Sequence, residues 1–135
     1  MLSLPVAMVE AMIAHARQVY PDEACGLIGG IGTEGRMIWP IHNVADDPMV
    51  RFRMAPDEQV RALAAFEGRG WELIAIYHSH PTGPPRPSDT DIAEAQYPAA
   101  FYIIISLADL IHPAVTVWTI RDGRARSVLW QVKSD

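Results

Sequence analysis

An apolar run, Leu73 to Tyr77, passes directly into His78-Ser79-His80-Pro81, and then into a segment that no regular element can absorb. Between Thr82 and Pro87 lie three prolines and a glycine. Proline fixes φ and removes an N–H donor, so this stretch is a stiff loop rather than helix or central strand. Residues i and i+2 of an extended strand share a face, about 6–7 Å apart at the backbone. His78 and His80 can therefore converge on one metal ion. Asp91 follows eleven positions after His80; the rigid loop can return it to the imidazoles, and a first helical turn would fix its direction. Two imidazoles and a carboxylate are ligands that zinc accepts, and three protein ligands leave a fourth position for water, as in a catalytic site.

Such a site also needs a base to accept a proton and return one to a leaving amine. Glu23, at the entry to the apolar segment Cys25–Ile31, is a candidate, and by position so are Asp22 and Glu94. Each of these residues has a plainer reading. Ser88-Asp89-Thr90-Asp91 resembles a capping box with Asp in place of the usual Glu or Gln, so Ser88 caps and Asp91 suits the helix dipole. Glu23 alone reads as a solvated turn residue. Cys25 reads as a small buried apolar residue. His15 reads as helix surface, His42 as a strand end and His112 as loop, and none is given a role.

Along the chain, Leu4 to Val19 reads as a helix capped by Ser3, with Val6, Val9, Ile13 and Ala16 on its apolar face. Cys25–Ile31 and Arg36–Ile41 read as a hairpin across Gly32-Thr33-Glu34-Gly35. Asn43–Pro48 is a polar loop. Val50–Met54 alternates apolar residues with Arg51 and Arg53, as a half-exposed strand would. Pro56 opens a second helix whose apolar face is Val60, Leu63 and Ala64, ended by Gly68 and Gly70. Ser88–Gln96 reads as a third, short helix. Ala100–Leu107 and Val115–Ile120 read as strands, Arg121-Asp122-Gly123-Arg124 as a tight hairpin turn, and Val128–Val132 as the last strand. The expectation is one mixed α/β domain over residues 1–135, with about three helices around one sheet.

The chain has 135 residues, half of them apolar, with 11 basic and 16 acidic side chains and a formal charge of −5. That composition excludes a disordered or collagen-like chain and weighs against a dedicated nucleic-acid binder. One cysteine excludes an internal disulfide and a cysteine-based zinc finger. No apolar run approaches the roughly 20 residues of a membrane span, and no targeting segment stands out, so a cytoplasmic protein without membrane contact is expected. Exposed strand edges would permit a dimer.

Glu23, His78-Ser79-His80-Pro81, Ser88 and Asp91 together resemble the JAMM motif of MPN-type metalloproteases. That motif reads Glu, a long gap, His-Ser/Thr-His-Pro, seven residues ending in serine, two more, then Asp. Glu23-Ala24-Cys25-Gly26-Leu27 also resembles the family's Glu-x-Cys-Gly-Leu segment. The resemblance covers nearly the whole chain and points to a small, stand-alone prokaryotic member. It implies a cytidine-deaminase-like fold, a curved mixed sheet flanked by helices. It implies one zinc per chain held by His78, His80 and Asp91, with Glu23 as general base and then proton donor, and Ser88 assisting at the developing oxyanion. The implied reaction is hydrolysis of the amide or isopeptide bond after the C-terminal Gly-Gly of a ubiquitin-like, sulfur-carrier β-grasp protein. The Val50–Met54 stretch and the proline-rich loop are candidate groove walls. Against this stands a zinc-stabilised MPN module that docks such a partner without cleaving it, a role that needs no general base. A zinc hydrolase of small amides or nucleobases is a third class, but the His-x-Glu and Pro-Cys-x-x-Cys signature of the deaminases is missing.

Overall fold

The computed structural model describes residues 1–134. Strand β1 (Leu2–Pro5) leads into helix α1 (Val6–Val19), followed by the hairpin β2 (Cys25–Ile31) and β3 (Glu34–Ile41). Helix α2 (Pro56–Gly68), strand β4 (Glu72–His80) and the short helix α3 (Asp89–Glu94) come next. Strands β5 (Phe101–Ser106), β6 (Ala114–Arg121), β7 (Arg124–Ser127) and β8 (Trp130–Lys133) complete the chain. All eight strands form one mixed sheet in the order β7-β6-β5-β4-β2-β3-β1-β8. Strand β4 lies in its middle, antiparallel to β2 and parallel to β5. Residues Ile74 to His80 are all buried, which explains why β4 reads as an unbroken apolar run rather than an alternating one.

The last strand is not the single Val128–Val132 element expected. Strand β7 pairs with β6, Val128 and Leu129 cross over, and β8 pairs parallel with β1 at the opposite edge of the sheet. Val128 and Trp130 pack against the core while Leu129 stays exposed, so burial of the two apolar neighbours directs the crossing. From Ser127 to Trp130 the chain spans at most about 10 Å, and the two edges must therefore lie close together: the sheet is curled. The turn before β7 is as expected, with Asp122 and Gly123 both at positive φ (53° and 71°).

One core cluster gathers α1 with Leu2, Leu4, Tyr77, Ile103 and Ile105, and the other gathers α2 with Cys25, Leu27, Ile76 and Tyr102. Three local expectations are corrected. Ser3 does not cap α1: it is a buried β1 residue whose hydroxyl accepts from Gln131 Nε2 (2.7 Å), and Pro5 occupies the N-cap position. The most buried residues of α1 are Met8, Met12 and Ala16; of the expected face, Val9 and Ile13 also pack against the core and only Val6 is exposed. In α2 the buried residues are Ala62 and Phe66, whereas Val60 is 66% exposed.

Gly29 explains the orientation of α2. A Cβ placed there would lie 2.4 Å from the Phe66 ring, so the largest side chain of the helix beds on bare backbone. Gly29→Ala is expected to lower stability by about 2–3 kcal/mol through overpacking. A control, Gly68→Ala, places its Cβ in open space at the end of the same helix and should be neutral or stabilising by under about 1 kcal/mol. Urea denaturation of the two variants decides the point; equal effects would mean that Phe66 does not set the seat of α2.

Candidate metal centre

Strand β4 continues through the motif to His80. His78 pairs in register with Cys25 of β2, so alternation puts His78 and His80 on the α2 side of the sheet and Ser79 on the other. Ser79 stitches the strands together there. Its hydroxyl accepts from the Ala24 N–H (2.7 Å), and its own N–H donates to the Ala24 carbonyl (3.0 Å).

The expected capping box is present. Ser88 Oγ accepts from the Asp91 N–H at 3.0 Å, and Asp91 Oδ2 accepts from the Ser88 N–H at 2.9 Å. Capping therefore aims the carboxylate, and the same Oδ2 lies 3.0 Å from both His78 Nε2 and His80 Nε2. The two Nε2 atoms are 3.1 Å apart.

The proline-rich loop holds this geometry from behind. Its prolines carry no N–H, so its backbone chiefly accepts. Three successive carbonyls do so: Gly83 from Ser106 Oγ (2.6 Å), Pro84 from His80 Nδ1 (2.8 Å) and Pro85 from Thr116 Oγ1 (2.7 Å). Because Pro84 can only accept, His80 carries a hydrogen on Nδ1 and, when neutral, turns the Nε2 lone pair toward Asp91. His78 Nδ1 is buried without a partner. Its ring is held instead by stacking on Phe52, centroids 4.6 Å apart at 27°.

These three atoms form a nearly equilateral triangle that hydrogen bonds alone satisfy poorly. A proton on one nitrogen serves only part of it, whereas one cation between the atoms serves all three. A tetrahedral ion with bonds near 2.0 Å spaces its ligand atoms about 3.3 Å apart, close to the 3.0–3.1 Å observed. The donor set fits zinc, and His78, His80 and Asp91 form the one such group among the described residues. Burial opposes charge on Asp91, but the hydrogen bonds from His78 and His80 hold its carboxyl far below the ordinary range. At His80 burial works downward, and the bonds to Asp91 and the Pro84 carbonyl outweigh it, leaving the value raised. At fully buried His78 the burial wins and the value is lowered.

Glu23 precedes β2 by two residues, and continuing the β2–β4 register brings it opposite His80. It is only 4% exposed, and Oε1 is buried with no partner. Burial pushes its pKa up to about 8; His80 works against that rise, and the charges of Asp91 and Asp47 add to it. Its backbone is clamped on both sides, the N–H donating to the Pro48 carbonyl (2.7 Å) and the carbonyl accepting from Asn43 Nδ2 (3.1 Å). Of the other two acids compatible by position, Asp22 is half-buried, and Glu94 is exposed and paired with Arg51 at 3.3 Å. Cys25 donates its Sγ–H to the Ile41 carbonyl, and burial pushes the thiol up to about 12, which leaves it inert as a nucleophile.

A cleft of about 260 Å³ ends at His78 and Asp91. It is lined by Phe52, Met54, Tyr97 and Tyr102, with the Arg51–Glu94 pair joining the loop to α3. Val50–Met54 does contribute a wall, but not as a strand: the only pairing is an isolated bridge from Met54 to Asn43. The alternation arises because Phe52 and Met54 turn inward without a partner strand. The proline-rich loop is not a wall; it backs His80 instead. His15 is half-buried rather than a plain helix-surface residue, its Nδ1 meeting the buried Tyr77 hydroxyl at 2.7 Å. His42 and His112 are exposed and pair with Glu58 and Asp109. Asn43 and Ser79 are not legible as site residues from sequence, although Ser79 carries a signal in its place inside the histidine motif; Phe52 is legible only as part of the Val50–Met54 wall, without its stacking on His78.

The curled sheet, the flanking helices and the His-His-Asp triangle define a JAB/MPN-type domain. The family of prokaryotic homologs of the JAB domain matches residues 5–121, and the chain belongs to it. It is 36% identical over 112 residues to the desampylase of Haloferax volcanii, covering 78% of this chain and 80% of that protein. It is 35% identical over 118 residues to the CysO-cysteine peptidase of Mycobacterium tuberculosis, covering 86% and 80%. The solution structure of DSY2949 from Desulfitobacterium hafniense superposes with a TM-score of 0.89 at 35% identity, covering 100% of this chain and 94% of that one. No described helix is long and apolar enough to cross a membrane.

Proposed function

We propose that the protein is a zinc-dependent peptidase or isopeptidase. Its substrate is the amide bond after the C-terminal Gly-Gly of a ubiquitin-like, sulfur-carrier β-grasp protein. The observation that carries this reading is the triangle of His78, His80 and Asp91 with the buried, unpartnered carboxyl of Glu23 across from His80. Two relatives named as a desampylase and a CysO-cysteine peptidase, each matched over most of its length, support the substrate class.

His78, His80 and Asp91 hold the metal, one ion per chain. Bound there, zinc supplies a Lewis acid for the scissile carbonyl and acidifies water. Glu23 takes a proton at its carboxylate from the attacking water and returns it to the departing amine nitrogen. Buried and with Oε1 free of any partner, its carboxyl is available both to take that proton and to return it. Ser88 Oγ uses a lone pair on the Asp91 N–H, so its own hydrogen is free to donate to the carbonyl oxygen as charge develops. The cleft between Phe52 and Tyr97 receives the tail; glycine suits it, since backbone without side chains fits a narrow passage.

The test is a β-grasp carrier ending in Gly-Gly, extended by cysteine or joined to a lysine, incubated with the zinc-loaded protein. Mass spectrometry should show a product ending at the second glycine. Carrier that binds the zinc-loaded protein and stays intact would establish the docking module instead.

A further inference from the structure

Asn43 sits at the base of the loop joining β3 to α2, and its side chain is half-buried. Its amide makes more contacts than any turn requires. Nδ2 donates to the carbonyls of Glu23 (3.1 Å) and Arg51 (3.0 Å), with a longer approach to Pro48 (3.4 Å). Oδ1 accepts from the N–H groups of Ala45 and Arg53, both at 3.0 Å. Arg51 and Arg53 flank Phe52, the residue stacked on His78. One side chain therefore clamps the backbone on both sides of Phe52 and also clamps the backbone of Glu23. The loop returns the contact, because the Pro48 carbonyl accepts the Glu23 N–H at 2.7 Å.

We propose that Asn43 is a positioning residue that ties Glu23 to Phe52, so that the base and the His78 ring are set by one shared support. At His80 a hydrogen bond to Pro84 fixes the ring; at His78, whose Nδ1 has no partner, the Asn43-braced phenyl ring does that work. A tail lying against Phe52 and Met54 presses on the same loop, so seating of substrate and placement of Glu23 are coupled. The kinetic part rests on the hydrolase reading above; the structural part does not.

The experiment compares wild type with Asn43→Ala, Asn43→Asp and Phe52→Leu. Amide exchange read by NMR on metal-free protein should show loss of protection at Glu23 and Arg53 in Asn43→Ala, with the β4 and β5 amides unchanged. Zinc affinity, by competition with a chelating indicator, should fall roughly 10- to 100-fold, as it does when the outer supports of a metal ligand are lost. At saturating zinc, kcat should fall by at least about 30-fold in Asn43→Ala; Phe52→Leu leaves the clamp on Glu23 intact, so its Glu23 and Arg53 amides should keep wild-type protection while its zinc affinity falls. Asn43→Asp keeps the acceptor and loses both donors; it serves if Asn43→Ala does not fold, and Glu23 should lose protection while Arg53 keeps it. Unchanged Glu23 protection together with zinc affinity within about twofold of wild type would overturn the proposal. If wild type binds zinc and cleaves nothing, the hydrolase reading fails, and exchange and affinity still decide the role of Asn43.

Discussion

Glu23→Gln should reduce hydrolysis by about 10³-fold while zinc content stays at the wild-type level. General acid–base residues contribute roughly 10²- to 10⁴-fold, and here one carboxyl is asked to serve both proton transfers. Gln keeps the shape, and Glu23 donates no ligand atom to the His-His-Asp group. A residual rate within about tenfold of wild type would remove Glu23 from the mechanism and return attention to Asp22 and Glu94. The same variant has a thermodynamic signature that needs no substrate. In metal-free protein, Glu23 titrates near 8 when folded and near 4.5 when unfolded. Between those values the folded chain holds a proton that the unfolded chain has released. Stability contributed by the neutral carboxyl is therefore full below about pH 4.5 and is lost as pH rises through 8. The loss is on the order of 5 kcal/mol across that window. Glu23→Gln cannot titrate, so the difference in unfolding free energy between variant and wild type should grow in the variant's favour toward pH 9. A constant difference from pH 5 to 9 would show that burial does not hold Glu23 protonated.

What could be read from the sequence divides by how local the cause is. His78, His80 and Asp91 were legible because one strand and one cap place them: alternation aligns the imidazoles, and Ser88 aims the carboxylate within a single helical turn. Residue spacing left Glu23 level with Asp22 and Glu94, and only the family resemblance separated them. Its position depends on the β2–β4 register, which links residues more than fifty apart. Val50–Met54 reads as a half-exposed strand, with Phe52 on its apolar face, for a similar reason. The pattern of apolar residues between Arg51 and Arg53 was real, but its inward partner is a histidine ring 26 positions away rather than a neighbouring strand. The face of α2 lies part of a turn from the expected one, because Phe66 follows the bare backbone of Gly29 rather than the local periodicity, whereas in α1 the expected Val9, Ile13 and Ala16 do meet the core and only Val6 does not. The division of the last strand into β7 and β8 depended on β1 lying at the far edge of a curled sheet. Within the final ten residues nothing local records that arrangement.

His80→Ala tests the metal centre itself. Wild type purified without chelator should carry about one zinc per chain, and the variant little. Two remaining ligands, His78 and Asp91, leave a site short of the three protein ligands typical of catalytic zinc. The fold should survive. Asp91 Oδ2 loses the imidazole but keeps His78 Nε2 and the Ser88 N–H; the Pro84 carbonyl that also loses it lies on an exposed loop residue, which water can solvate, and the neighbouring carbonyls stay tied to Ser106 and Thr116. Zinc added in excess should therefore raise the melting temperature of wild type and leave that of the variant unmoved, since a ligand stabilises only the state that binds it. Measuring both proteins with and without zinc separates two failures. Equal, tight zinc binding by the variant would mean that the ion sits elsewhere. No binding by wild type at any zinc concentration would mean that the triangle is held by protons alone, with a charged imidazole against Asp91. In that case the partner-docking module becomes the better account, because Glu23 would have no metal beside it to work with.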